Sequence, residues 1–201
     1  MTSVVVAPTY EPIGRVLTAA EYDALPENPR RELVDGVVHV MATPTPWHQD
    51  VVDGLKAILA RLVPRGLRVT REIEVRLDEL VRRNPDVLVV RTDGFRPRVA
   101  WLRPEQVVLA VEVVSPGSES TDRDVKPGQY ARAGIPFYWR VETDPVVEVH
   151  TYQLGVGSTY LYTGGFSEGE AVDGDVTGLD WATFDVSDVT GEDPEATDPR
   201  D

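Results

Sequence analysis

Cysteine is absent from the chain. Structural disulfides, thiolate zinc centres and a cysteine nucleophile are therefore excluded, and any metal must bind through oxygen or imidazole. Lysine is scarce as well: of the twenty basic residues only Lys56 and Lys126 are lysines, the others being arginine. Arginine stays protonated under any working condition, whereas the pKa of a lysine moves when it is buried or crowded, so a lysine in this background is conspicuous. No apolar run approaches the roughly eighteen residues of a membrane span, and the N-terminus lacks the basic-then-apolar pattern of a secretory leader. Cytoplasmic residence without membrane attachment is the simplest expectation. Positive charge is also in short supply. The formal net charge is −14, which argues against a protein that coats nucleic acid non-specifically by neutralising phosphates. From Asp185 to Asp201 seven acids face only Arg200, so that stretch carries −6 and the body −8.

With 201 residues and 41% hydrophobic content, one domain with a buried core is expected, between a flexible start at 1–14 and an acidic, apolar-poor tail at 185–201 expected to be disordered. Within 15–184, Thr18 reads as an N-cap for a helix over Ala19–Leu25. Asp35-Gly36 sits between two apolar-rich arms, a strong hairpin signal. Pro46 suits a first helical position, and Trp47, Val51, Leu55, Ile58, Leu59 and Leu62 recur at spacings of three and four until Pro64 stops the helix. Alternation through Leu67, Val69, Ile73 and Val75 predicts one half-buried strand with a bulge near Thr70-Arg71. The segments PDVLVV and QVVLAVEVV are almost continuously apolar and β-branched, as expected of strands covered on both faces. A loop of turn formers then precedes a helix predicted over Lys126–Ala133, with Gly134 ending it, followed by a strand pair around Asp144-Pro145 and further strand-like material from Tyr160 to Phe184.

Two carboxylates are out of place in those apolar strands. Glu112 interrupts LAVEVV where a core strand offers no solvated face, and a charge there is costly unless paired or bound to metal. Asp86 begins the neighbouring apolar run, so the two acids could share one end of the sheet, with Lys126 reaching the same edge. Phosphodiester hydrolysis with a divalent cation needs such parts: carboxylates to hold the ion and a cationic side chain to meet developing negative charge. The plainer readings are a turn acid for Asp86 and a solvated first-turn residue for Lys126. Serine hydrolase chemistry is discounted because no His-Asp partnership accompanies SPGSESTD, and QLGVGST leads to strand and not to the helix a phosphate loop requires.

The segments NPDVLVV, VLAVEVVSPGS and TDRDVKPGQYARAGIPFYW resemble the signature of the PD-(D/E)XK nuclease superfamily, and closely that of its Uma-two family of restriction-type endonucleases. RELVDGVV followed by HQDVV is similar to the opening of that family, and the resemblance runs from Leu17 to Tyr152. It implies an α/β, restriction-endonuclease-like fold: a mixed central β-sheet flanked by helices, here with additional C-terminal strands. It implies Asp86 and Glu112 as acids binding Mg2+ or Mn2+, and DNA as substrate. The superfamily's usual lysine would fall at Val114. Lys126 matches the lysine that takes over in this family, with Asp122 and Tyr130 as its polar neighbours, and Lys126 and Tyr130 share a helix face. Pro127 departs from a helical pattern but is tolerated at a first helical position. Glu32 matches an acid before the hairpin turn and would be a further ligand or partner, although by itself it reads as a strand-edge charge. His48, at the start of the amphipathic helix, is an accessory candidate that could equally cap or pack. Two other functions stay open: a degenerate binding or interaction module, with a homodimer as one form of it, which the acidic body favours, and a metal-dependent hydrolase of a small phosphorylated substrate.

Overall fold

The computed structural model describes residues 16–26 and 31–190. Thr18 caps helix α1 (Ala19–Asp23) through a complete capping box: its hydroxyl accepts from the Glu21 N–H, while the Glu21 carboxylate accepts from the Thr18 N–H. The helix ends at Asp23, two residues before the expected Leu25. Strands β1 (Arg31–Val34) and β2 (Val37–Val40) form the expected hairpin. Asp35 and Gly36 both take positive φ, 51° and 77°, the requirement of the tight turn whose twist matches that of paired strands. Helix α2 (Pro46–Leu62) starts on a Thr45 cap with proline in its first turn, and buries Val51, Leu55, Ile58 and Leu59. Trp47, expected on that apolar face, is 39% exposed.

Leu67–Leu77 is not one bulged strand. Strand β3 (Leu67–Thr70) and strand β4 (Glu74–Arg76) belong to different sheets, and the chain turns between them at Glu72, whose φ is 51°. A bulge and a change of sheet interrupt a period of two in the same way, so the alternation could not tell them apart. After β5 (Arg82–Arg83) come β6 (Val87–Arg91), β7 (Trp101–Leu102) and the fully buried β8 (Val107–Val113). Helix α3 (Lys126–Arg132) follows, then β9 (Phe137–Glu142), β10 (Glu148–Leu154), β11 (Tyr160–Ser167), β12 (Ala171–Val172), α4 (Gly174–Thr177) and β13 (Phe184–Asp185).

The main sheet has the order β11-β10-β9-β8-β6-β3 and is mixed, since β8 and β9 run parallel while its other neighbours are antiparallel. Five short strands form a second sheet, β2-β1-β5-β4-β7. One face of the main sheet packs under α2 and the C-terminal segment through Val87, Val89, Leu109, Val111, Trp139 and Val186. The opposite face packs under α3 through Leu88, Ala110, Tyr130 and Tyr138. This is the expected α/β architecture of mixed sheets flanked by helices, with β12 and β13 as the added C-terminal strands.

Two boundaries differ from expectation. The stretch from Asp185 is ordered at its start: Asp185 pairs with Ala171, and Val186 and Val189 are buried in the core. Gly54 of α2 permits that packing, because the Val189 carbonyl oxygen occupies the place where a Cβ would stand. Two well-placed valines outweighed an acidic composition. The expected flexible start at 1–14 and the rest of the acidic tail, 191–201, lie outside the described residues. The loop expected before Lys126 is instead a π-helical turn, Thr121–Val125, that runs straight into α3. The Lys126 N–H donates to the Thr121 carbonyl, and Pro127 enters where no N–H is available for the usual helical bond. No helix among the described residues is long and apolar enough to cross a membrane.

Candidate active site

Because β6 and β8 are antiparallel, with Val87 opposite Val111, the start of one strand lies beside the end of the other. Asp86, just before β6, and Glu112, near the end of β8, therefore reach the same edge of the sheet. Both line a cleft of about 330 Å³, together with Glu32, His48, Asp122 and Lys126. Tyr130 completes the group from behind, where its hydroxyl donates a short hydrogen bond to Glu112 Oε1. All seven residues expected at a site thus gather around one space, contributed by β1, α2, β6, β8 and the π-turn and helix α3.

The Asp86 carboxylate is held by backbone and imidazole. The Val113 N–H donates to Asp86 Oδ2 at 2.7 Å, and His48 Nε2 lies 3.5 Å from the same oxygen. Nε2 also lies 3.1 Å from the Val113 carbonyl, so a proton on it serves both acceptors, while Nδ1 is buried without a hydrogen-bond partner among the described residues. Burial works against the cationic form of His48, but the hydrogen bond and charge of Asp86 outweigh it and raise the pKa.

Lys126 is 3% exposed and is not the solvated first-turn residue that its sequence setting suggests. Its ammonium lies 2.7 Å from both Glu112 Oε2 and Asp122 Oδ1. The π-turn places Asp122 one turn ahead of Lys126 on the same continuous helix, which sets up that second contact. Burial alone would lower the Lys126 pKa, yet Glu112, Asp122, Glu32 and Asp86 together hold it well above the ordinary value. Glu112, 1% exposed, shows the opposite balance. Burial, reinforced by the charges of Asp86, Asp122 and Glu32 and only partly offset by Lys126, pushes its carboxyl up to about 8.

Glu32 is held from below by residues that sequence reasoning missed. Arg83 Nη1 donates to Glu32 Oε2 at 2.7 Å and Arg83 Nε donates to Gln129 Oε1 at 2.8 Å, while the Asn84 N–H donates to Glu32 Oε1 at 3.0 Å. Burial disfavours the Glu32 carboxylate, but Lys126, Arg83 and the Asn84 N–H prevail and lower its pKa. Arg83 gave no signal, being one more arginine in a chain rich in them and lying outside every segment to which the sequence assigned an element.

Fully ionised, the four carboxylates of Glu32, Asp86, Glu112 and Asp122 would exceed by two charges the permanent cations that meet them among the described residues, Arg83 and Lys126, and burial together with that excess raises the Glu112 and Asp122 carboxyls. No group of three or more His, Asp or Glu side chains among the described residues is arranged to chelate an ion by itself. The donors are hard oxygens, suited to Mg2+ or Mn2+ and unsuited to softer metals. Mg2+ is usually held by one or two carboxylates with water and substrate phosphate completing its shell, so such an ion does not require a third acid.

The Uma-two family (Uma2), described as "Putative restriction endonuclease", matches residues 19–187. The chain belongs to this family. Among solved structures, a protein described as a "putative nuclease belonging to DUF820" from Anabaena variabilis superposes with a TM-score of 0.69 at 18% identity, covering 87% of this chain and 97% of its own. At that identity the likeness bears on the fold. No protein of curated function matches the chain. The Uma2 match extends past Tyr152 to residue 187, so it takes in β11 to β13, which the motifs in the sequence did not reach.

Proposed function

We propose that this Uma2 chain is a divalent-metal-dependent endonuclease hydrolysing phosphodiester bonds in DNA, with Asp86 and Glu112 as ligands of Mg2+ or Mn2+ and Lys126 as the catalytic cation. The observation that carries the reading is the excess of carboxyl groups over cations in a buried, oxygen-lined cleft. Ionising all four acids there without a partner is expensive, which holds the Glu112 carboxyl up, and a divalent cation would let it give up its proton and would balance the resulting charge. When bound, the ion would polarise a phosphoryl oxygen and acidify a water molecule. The Val113 N–H and His48 keep the Asp86 carboxylate in place. Lys126, fixed between Glu112 and Asp122, offers a preorganised positive charge to the phosphoryl group as negative charge develops on it. Glu32, Asp122 and Tyr130 act as positioning residues: Glu32 with Arg83 sets the field around Lys126, and Tyr130 fixes one oxygen of Glu112.

The test is cleavage of plasmid and single-stranded DNA with and without Mg2+ or Mn2+ by the wild type and by Asp86→Ala, Glu112→Ala and Lys126→Ala. Each substitution is expected to cut the rate by about 100-fold or more. Equal activity in all four proteins would sink the assignment.

One observation favours a second reading, a binding module that has lost catalysis: both Glu112 oxygens are already engaged, one by Lys126 and one by Tyr130. Calorimetry with Mg2+, Mn2+ and Ca2+ separates the two, because the module should show no binding that depends on Glu112.

A further inference from the structure

Trp47 has no part in the core or in the chemistry described above. A single exposed apolar side chain is ordinary. This one stands next to the cleft in the chain, although it is not itself a lining residue. It follows Pro46 at the start of α2, between Thr45 and His48, which both line the cleft. Its indole N–H donates to the Thr143 carbonyl at 3.4 Å, and the Thr143 hydroxyl donates to the Val114 carbonyl at 3.2 Å. Val114 stands between two cleft-lining residues, Val113 and Ser115, just beyond Glu112. The indole is thus tied to the strand end that carries the site. Val146, on the same β9–β10 turn as Thr143, is 45% exposed, and Val125 is 42% exposed two residues from Arg123, which pairs with Glu142 beside Thr143. The turn that receives the indole N–H thus carries an exposed valine together with charged residues.

The cleft itself offers a duplex few phosphate contacts. Among the described residues its walls carry five acids, Glu32, Glu72, Asp86, Glu112 and Asp122, against one lysine that two of them already neutralise, and no arginine. Duplex binding draws its affinity from many phosphate contacts to Lys and Arg. The groups expected to react are also deep, since Glu112 and Lys126 are almost wholly buried. A phosphate must be brought down to them by a strand that can bend. A single strand can do this while an unpaired base stacks on an aromatic face, an interaction that every base can make.

We infer that the site takes a single-stranded segment of nucleic acid, with one unpaired base stacked on Trp47 while the adjoining phosphate enters the cleft. This rests on the nuclease reading and narrows its substrate. The indole hydrogen bond to Thr143, a long one at 3.4 Å, limits the ring's freedom before a base stacks on it.

Two measurements test it in the full-length chain. The first compares cleavage of a labelled single-stranded oligonucleotide with cleavage of the same sequence as a blunt duplex, for wild type, Trp47→Ala and Trp47→Phe. The single strand is expected to be cut at least tenfold faster. Trp47→Ala should raise KM about tenfold with kcat nearly unchanged, and Trp47→Phe should restore most of the loss. The second measures binding of fluorescein-labelled oligothymidylate and of a labelled duplex to Glu112→Gln protein in Ca2+, with and without Trp47→Ala. Tight single-strand binding that weakens about tenfold on Trp47→Ala supports the inference even if no protein cleaves. Duplex cut or bound as well as the single strand, or Trp47→Ala indistinguishable from its parent in both measurements, overturns it and leaves a cleaving enzyme's nuclease reading intact. Loss of cleavage in the wild type alongside intact single-strand binding overturns the nuclease reading instead.

Discussion

Lys126 and Glu112 support each other where both side chains are almost wholly buried, and removing one has consequences for the other. Lys126→Met would leave Glu112 and Asp122 buried together without their cation, a change that typically costs about 3–5 kcal/mol. The paired change Lys126→Met with Glu112→Gln should recover part of that loss, which a double-mutant cycle by urea unfolding at pH 7 would measure. Additive losses would mean that the two groups are not coupled. The raised Glu112 carboxyl also sets a pH dependence. Its folded pKa, about 8, lies above the ordinary value of 4.5, so between those values the folded state binds the proton that the unfolded state has released. Stability must then fall as pH rises through that window. Asp122 and His48, both raised, act in the same direction, whereas His39 and His150, both lowered from 6.5, oppose them below that value and the lowered Glu32 matters only near and below its ordinary value. Unfolding of metal-free protein should therefore become easier from about pH 6.5 to pH 8, and Glu112→Gln should flatten the trend. A wild-type profile that rises across this range would contradict the assignment.

Elements with a strong internal rhythm are legible in the sequence: the hairpin at Asp35-Gly36, the seventeen residues of α2 and the apolar strands β6 and β8. What the sequence does not reveal is set by partners distant along the chain. The second sheet depends on Arg82 and Arg83, charged residues that become a buried strand only because β1 and β4 flank them. Glu112 is legible because its neighbours are apolar, whereas Lys126 needs the family resemblance, since a π-turn and not a loop delivers it. Composition alone misreads the C-terminal segment. Its packing against α2 can be tested by Gly54→Ala, where a methyl group would collide with the Val189 carbonyl and the backbone must shift, for an expected loss of about 1–3 kcal/mol. Val189→Ala should cost about 1 kcal/mol or more by opening a void at the same contact. Thermal unfolding of the two variants and of their combination is the measurement. Combined losses well below the sum would show that both substitutions act on one interface.

At the scale of the whole molecule, charge opposes the proposed substrate. The chain carries −14 overall and its cleft is acidic, so a polyanion approaching at low ionic strength meets repulsion before it meets any contact. That repulsion is long-range, reaching about 30 Å at 0.01 M salt and about 10 Å at 0.1 M. Contacts deep in the cleft are screened much less. Proteins that grip nucleic acid through many phosphates lose affinity steeply with salt, because binding releases the counterions of each neutralised phosphate. Here few phosphates can be neutralised, and added salt mainly removes a barrier to approach. At a fixed free Mg2+ concentration, kcat/KM on a single-stranded oligonucleotide should therefore stay level or rise as KCl goes from about 10 to about 100 mM, the change lying in KM and not in kcat. A fall with a log–log slope steeper than about −3 would require several phosphate contacts that the acidic cleft does not offer, and would point to a basic surface elsewhere on the chain, or on a second copy of it, as the true seat of binding.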